Sequence, residues 1–137
     1  MLGGMPSDAP AVVLRRYADA WQAGDPGLFD HYASDFTVHY FGRSRFAGTH
    51  VGRDAAITTM LEVSAAAPRE LLEVEELYGG DRGAVMVVRE RLTGAGGPVE
   101  VRRLLRYRIE GGLLAECWLH DEDQRLIDSL WGGEVAG

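Results

Sequence analysis

An α+β fold is predicted by three observations. Apolar residues first recur at helical spacing, at Val13, Tyr17, Ala20 and Trp21. After Pro68 the period changes to two, and four strand-like runs follow. Short glycine-rich turns separate those runs, so successive strands pair as hairpins and the sheet is mostly antiparallel. Helices followed by a meander of strands pack on one face of a curved sheet.

Asp8 is placed to cap the first helix, and Pro10 suits its first turn. The helix runs to about Ala23, with Arg15, Arg16, Asp19 and Gln22 mostly on its polar side, and Gly24 ends it. Asp25 caps and Pro26 opens a short second helix, anchored by Leu28, Phe29 and Tyr32. Phe36 to Phe41 is β-branched and aromatic and reads as a strand. The stretch 42–52 carries three glycines and reads as a loop. From Arg53 to about Ala67 the pattern is helical, with Ile57, Met60, Leu61 and Ser64 on one face, and Pro68 stops it.

Strands are predicted near 70–78, 83–93, 99–110 and 113–120. Gly79-Gly80-Asp81, the run 94–98 and Glu110-Gly111-Gly112 supply the turns. Asp121, with Gln124 three residues on, has the spacing of a capping box. Leu126, Ile127, Leu130 and Trp131 then follow at helical spacing, and residues 132–137 are expected to fray. There is no internal repeat and no linker. The 137 residues therefore read as a single domain, 1–137, with an ordered core of about 9–131.

Composition excludes several chemistries. The 14 basic residues are all Arg, and there is no Lys and no Asn. Without Lys there is no Schiff base, pyridoxal anchor or phosphate-loop lysine. The net charge of −7 argues against nucleic acid as the partner. A single cysteine, Cys117, leaves no intrachain disulfide and no Cys-rich zinc site, and its apolar neighbours read as a packed thiol. No apolar run approaches the roughly 20 residues of a membrane span. The first residues have neither a basic nor an apolar leader segment, so a cytoplasmic protein without membrane contact is expected. The sequence contains no G-x-S-x-G, H-E-x-x-H or dinucleotide fingerprint. Gly94-Ala95-Gly96-Gly97 joins two strands and is a turn, not a phosphate loop.

Four stretches carry a family resemblance. The run Leu14 to Asp25, including Tyr17-Ala18-Asp19-Ala20-Trp21, resembles the opening helix of ketosteroid-isomerase-like and SnoaL-like proteins. His31-Tyr32-Ala33-Ser34-Asp35-Phe36-Thr37-Val38 resembles their entry into the first strand, and Gly48 to Ile57 their loop into the third helix. The end, Trp118 to Trp131 with Asp123-Gln124 and Asp128, is similar to a SnoaL-like subgroup. The resemblance implies the cystatin-like cone shared with nuclear transport factors. In it a curved, mostly antiparallel sheet wraps around three N-terminal helices and encloses a deep pocket. It also implies a homodimer through the outer sheet face. The fold itself does not set the function, because such proteins include isomerases, cyclases, dehydratases, epoxide hydrolases and non-catalytic members.

By this resemblance Tyr17 stands where steroid isomerases place an oxyanion donor; its other reading is a core residue. Their catalytic base, an aspartate, aligns with Tyr40, a poor base at neutral pH. Their second donor, a protonated aspartate, falls near Leu105, which donates nothing. Steroid isomerase chemistry is therefore excluded. Limonene-type epoxide hydrolases need an Arg and two Asp, and Arg103 has no acid beside it on its strand.

The period of two puts Val101, Arg103, Leu105, Tyr107 and Ile109 on the pocket side, with Arg102, Leu104, Arg106 and Arg108 outward. The outward arginines are expected to pair with Glu73, Glu75 and Glu76. The family register turns Leu114, Glu116, Trp118 and His120 inward, where Glu116 would pair with Arg103. His120, followed by Asp121, Glu122 and Asp123, is either a general base or a solvated histidine at a strand end. Successive residues diverge, so that run is not a metal site. His39 should point away from Tyr40, under a helix, and His31 and His50 read as surface or loop residues.

One internal cavity is thus expected, with Tyr17, Tyr40 and His120 as catalytic candidates. Trp21, Arg103, Tyr107, Glu116 and Trp118 are the substrate-binding candidates. The expected function is a cofactor-independent, metal-free isomerase, cyclase or dehydratase. Its substrate would be small, largely apolar and oxygenated, of polyketide or terpenoid type. The alternative is a non-catalytic ligand-binding or dimeric scaffold protein of the same fold.

Overall fold

The computed structural model describes residues 9–132. Helix α1 spans Pro10–Ala23 and buries Val13, Leu14, Tyr17 and Ala18. Proline in the first turn starts it, and Gly24, in the left-handed region at φ 65°, closes it by donating to the Ala20 and Trp21 carbonyls. The N-cap position is Ala9, and the expected cap Asp8 lies outside the described residues, as does the expected fraying of 133–137. The Asp25-Pro26 segment forms a turn, in which the Asp25 carboxylate accepts from Gly27 N at 2.7 Å. A single 3₁₀ turn, Leu28–His31, follows.

Strand β1, Tyr32–Tyr40, starts four residues before its predicted beginning at Phe36. Strand β2, Gly48–Val51, lies inside the segment expected to be a loop, and pairs antiparallel with β1. Four residues carry too little period to be read as a strand. Helix α2 covers Arg53–Ala66 and buries Ala56, Thr59 and Val63, whereas Leu61, expected on the packed face, is 55% exposed.

Strands β3 (Arg69–Gly79), β4 (Gly83–Gly94), β5 (Gly97–Glu110) and β6 (Leu113–Asp121) form the predicted meander. Helix α3, Gln124–Leu130, follows. Its cap is Asp123, whose carboxylate accepts from Leu126 N at 3.1 Å; Asp121 is instead the last residue of β6. The six-stranded sheet runs β2-β1-β6-β5-β4-β3 and is antiparallel except for the β1–β6 pair. That parallel pair joins the first strand of the chain to the last one, β6, at the end of the meander.

The core lies between the inner sheet face and the helices. Val88, Met86, Leu105, Phe36 and Leu14 are all 1% exposed or less. Helix α1 packs mainly on the β3–β4 side of the sheet, with Val13 and Leu14 in the core. Gly83 permits the tight β4–β5 contact, since a Cβ there would stand 2.3 Å from the Tyr107 carbonyl oxygen. At the far end Trp131, 1% exposed, packs edge-on to Tyr40 and Phe46. Asp128 anchors α3 to the loop after β1 by accepting from Arg43 N at 2.9 Å. No helix among the described residues is long and apolar enough to cross a membrane.

Candidate functional site

The inner face of β5 follows its predicted phase: Val101, Arg103, Leu105, Tyr107 and Ile109 are all buried. The phase of β6 does not. Arg108 stands opposite Glu116, but the next residue, Ile109, stands opposite Leu114, so Ala115 is an extra residue on β6. Such a bulge reverses the alternation beyond it. Leu114 stays inside, Cys117, Leu119 and Asp121 turn inward, and Glu116, Trp118 and His120 turn outward.

Three expected site residues therefore leave the interior. Trp118 stacks on His39 at 5.2 Å and lies under the Arg106 guanidinium at 4.3 Å on the outer face. His120 is exposed and stacks on Phe41 at 4.8 Å. Glu116 pairs with His39 at 2.5 Å and Arg108 at 3.1 Å, not with Arg103. His39 is on the outer sheet face, not under a helix, and its Nδ1 meets Thr49 Oγ1 at 2.8 Å. His50 belongs to β2, where its Nε2 donates to the Phe46 carbonyl at 2.8 Å.

Tyr17, Trp21, Tyr40 and Tyr107 do share one space. They line a small interior cavity of about 20 Å³ with Tyr32, Met60, Arg69, Cys117 and the apolar side chains of Leu105 and Leu119. That volume holds about one water molecule. An outer space of about 240 Å³ between α1 and α2 shares Tyr17, Trp21, Tyr32, Met60 and Arg69 with it, and Leu61 stands at its edge. The two spaces meet at a pair of phenols: the Tyr17 and Tyr32 hydroxyls are hydrogen-bonded to each other, and Tyr32 also reaches Met60 Sδ at 3.9 Å.

Burial dominates the electrostatics here. It pushes the Tyr17 phenol up to about 12, against the Tyr32 hydrogen bond and the nearby Arg69 charge. It raises Tyr32, Tyr40 and Tyr107 above the ordinary phenol value as well, and the Cys117 thiol to about 12. All are therefore neutral groups near pH 7, able to donate and unable to act as bases. Among the described residues the cavity lining has no carboxylate and no imidazole.

Arg103 is inward, as its phase predicts, but belongs to a buried ionic chain and not to the cavity lining. Arg69 donates from Nε and Nη2 to the two Glu90 oxygens at 2.7 and 2.8 Å. Arg103 reaches Glu90 at 3.4 Å and Asp121 at 2.6 Å. Two guanidiniums and two carboxylates alternate, so the formal charge balances. Burial alone would raise Glu90, but the Arg69 and Arg103 charges outweigh it and hold Glu90 below the usual carboxylate range. At Asp121 burial prevails over Arg103 and the carboxyl is raised. Arg103 thus has acids beside it after all, supplied by the neighbouring strands, and the side chains of Arg103, Glu90 and Asp121 are almost wholly out of solvent.

Sequence reasoning missed Tyr32, Arg69 and Cys117 as lining residues. Tyr32 read as a helix anchor and Cys117 as a packed thiol, and Arg69 falls just before the strand predicted near 70–78. Its guanidinium, stacked on Trp21 at 4.6 Å, forms the cationic wall between the two spaces. No group of three or more His, Cys, Asp or Glu side chains among the described residues is arranged to hold a metal ion.

A six-stranded, mostly antiparallel sheet packed against helices, with a phenol-lined cavity inside, defines an α+β fold. Residues 14–117 match the family model described as a SnoaL-like domain, and the chain belongs to that family. Comparison with curated proteins gave no match. Among solved structures, a Xanthomonas campestris protein of unknown function with a cystatin-like fold is similar at TM-score 0.82 and 20% identity, over 90% of this chain and 98% of that one. A Sinorhizobium meliloti protein assigned as a polyketide cyclase is similar at TM-score 0.63 and 20% identity, over 85% and 95%. TerC, co-crystallised with polyporic acid, is similar at TM-score 0.70 and 12% identity, over 80% and 88%. At these identities the likeness establishes the fold.

Proposed function

We propose that the chain binds a small, largely apolar, oxygenated molecule in the space between α1 and α2. The observation that carries this reading is the Tyr17–Tyr32 hydroxyl pair, which borders both the outer space and the interior cavity. A carbonyl, phenol or enol oxygen placed against these hydroxyls would take a hydrogen bond in a site shielded from water. Trp21, Leu28, Phe29 and Met60 offer the apolar walls, and Arg69 favours partial negative charge on that oxygen.

The second reading is a cofactor-independent enzyme, favoured by the same donors and by the similar protein assigned as a polyketide cyclase. Phenols alone stabilise developing oxyanion charge, and they suit a substrate acidic enough to lose its proton without a protein base, such as a β-dicarbonyl. Steroid isomerisation is not expected, since Leu105 supplies no donor and Tyr40 no base.

Thermal-shift titration with β-dicarbonyl and hydroxylated aromatic compounds tests the first reading. A saturable stabilisation that falls several-fold in Tyr17→Phe supports it. Equal binding by wild type and Tyr17→Phe would sink it. Product formation from a bound compound, lost in the same variant, would select the enzyme.

A further inference from the structure

Five side chains wall both the interior cavity of about 20 Å³ and the outer space of about 240 Å³: Tyr17, Trp21, Tyr32, Met60 and Arg69. Four of them are fastened. Tyr17 and Tyr32 bond to each other through their hydroxyls, and each packs on a further ring, Tyr17 on Tyr107 at 5.8 Å and Tyr32 on Phe36 at 4.4 Å. Arg69 is gripped by both Glu90 oxygens, at 2.7 and 2.8 Å, and its guanidinium covers Trp21 at 4.6 Å. Met60 is held differently. It comes from α2 and is half-buried, and its one polar contact among the described residues is the Tyr32 hydroxyl, 3.9 Å from Sδ. A thioether is a weak acceptor. An unbranched side chain with three rotatable bonds also refits easily.

The proton count makes that contact exchangeable. Two phenols carry two hydroxyl protons. Tyr17 donates one to Tyr32, and Tyr32 gives the other to Met60. Neither space has a carboxylate or imidazole in its lining to compete for it. A ligand carbonyl or phenol oxygen is a stronger acceptor than sulfur, so it takes that proton and releases Met60. Size points the same way. Pockets for drug-sized ligands run to about 300–1,000 Å³, whereas the outer space alone is about 240 Å³. Moving the thioether off Tyr32 joins that space to the interior cavity, whose inner walls include the apolar Phe36, Val38, Leu105 and Leu119. The pocket then deepens along an apolar path.

We propose that Met60 determines the specificity of this site: its thioether closes the pocket floor, and its displacement sets the length of ligand admitted. This rests on the reading that the space between α1 and α2 binds an oxygenated ligand. A phenol of two fused rings fits above Met60. A phenol of three fused rings, with its oxygen at Tyr32, requires Met60 to move.

The probes are 1-naphthol and 9-phenanthrol, followed by calorimetry. Met60→Ala should bind 9-phenanthrol severalfold tighter than wild type and leave 1-naphthol within about twofold. Met60→Leu keeps a similar volume but is branched and lacks the sulfur, and it should bind 9-phenanthrol severalfold more weakly. Melting temperatures check that each variant folds. Wild type labelled at its methionine methyls reports the displacement directly: the Overhauser contact between Met60 and Tyr32 should vanish with 9-phenanthrol bound. The proposal is overturned if the ratio of the two affinities is the same in wild type and both variants. It is also overturned if that contact persists in a complex that Tyr17→Phe abolishes. Binding of neither probe, or equal binding of both by wild type and Tyr17→Phe, would instead overturn the reading of the site and this inference with it.

Discussion

Glu90 accepts from Arg69 through both carboxylate oxygens, at 2.7 and 2.8 Å, with its own side chain entirely out of solvent. The pair joins the wall of the cavity to the buried chain that continues through Arg103 to Asp121. It is what keeps a guanidinium fixed beside the phenols.

Glu90→Gln should therefore destabilise the fold strongly. It leaves Arg69 without its carboxylate partner and Arg103 with Asp121 alone, and breaking a buried pair from one side costs about 3–5 kcal/mol. Urea unfolding at neutral pH measures this. A loss under about 1 kcal/mol, the worth of one ordinary hydrogen bond, would contradict the ionic role.

The same residue sets an acid dependence. Glu90 is held below its ordinary value of about 4.3, so between those two pH values the unfolded chain binds the extra proton. Its contribution is complete above the ordinary value and is lost as pH falls through the lowered one. Asp121 acts oppositely, because its carboxyl is raised in the fold and takes up a proton earlier than in the unfolded chain. The readout is thus the difference between wild type and Glu90→Gln. That difference should be constant from pH 7 to about 5 and shrink below about 4.

Alkaline titration should separate the tyrosines. Tyr17 is pushed up to about 12, and Tyr32, Tyr40 and Tyr107 are also raised, each mainly by burial. Only exposed Tyr78, raised by the Glu76 carboxylate, ionises without leaving the core. Absorbance at 295 nm should show one tyrosinate before unfolding and the other four with it. Since the unfolded phenols release protons near the ordinary value of about 10, stability should fall as pH rises beyond that point. Gradual ionisation of several tyrosines in a chain still folded by circular dichroism would refute the buried cluster.

His120→Gln should change neither interior ligand binding nor stability beyond about 0.5 kcal/mol, the range of surface substitutions. His120 is exposed on the far side of the sheet, against Phe41. Isothermal titration with any ligand found by the thermal-shift screen checks this. A tenfold affinity loss would mean that the β6 phase is wrong.

Local pattern settled much of this protein. The spacing of Val13, Tyr17 and Trp21 determined which face of α1 packs inward, because helical geometry fixes direction from sequence spacing alone. The uninterrupted alternation of β5 likewise sent Arg103, Leu105 and Tyr107 inside. Those two elements, with Tyr40 at the end of β1, suffice to bring Tyr17, Trp21, Tyr40 and Tyr107 to one cavity. Tertiary structure decided the rest. The extra residue at Ala115 exists only relative to the partner strand, so the outward turn of Glu116, Trp118 and His120 had no local mark. Strand β2 is too short to show a period and is defined by its pairing with β1. The partners of Arg103 come from β4 and β6, 13 and 18 residues away in sequence, and Arg69 meets Glu90 from 21 residues away. Sequence spacing fixes the direction of a side chain within its own element, whereas the group it meets is fixed by the register between elements.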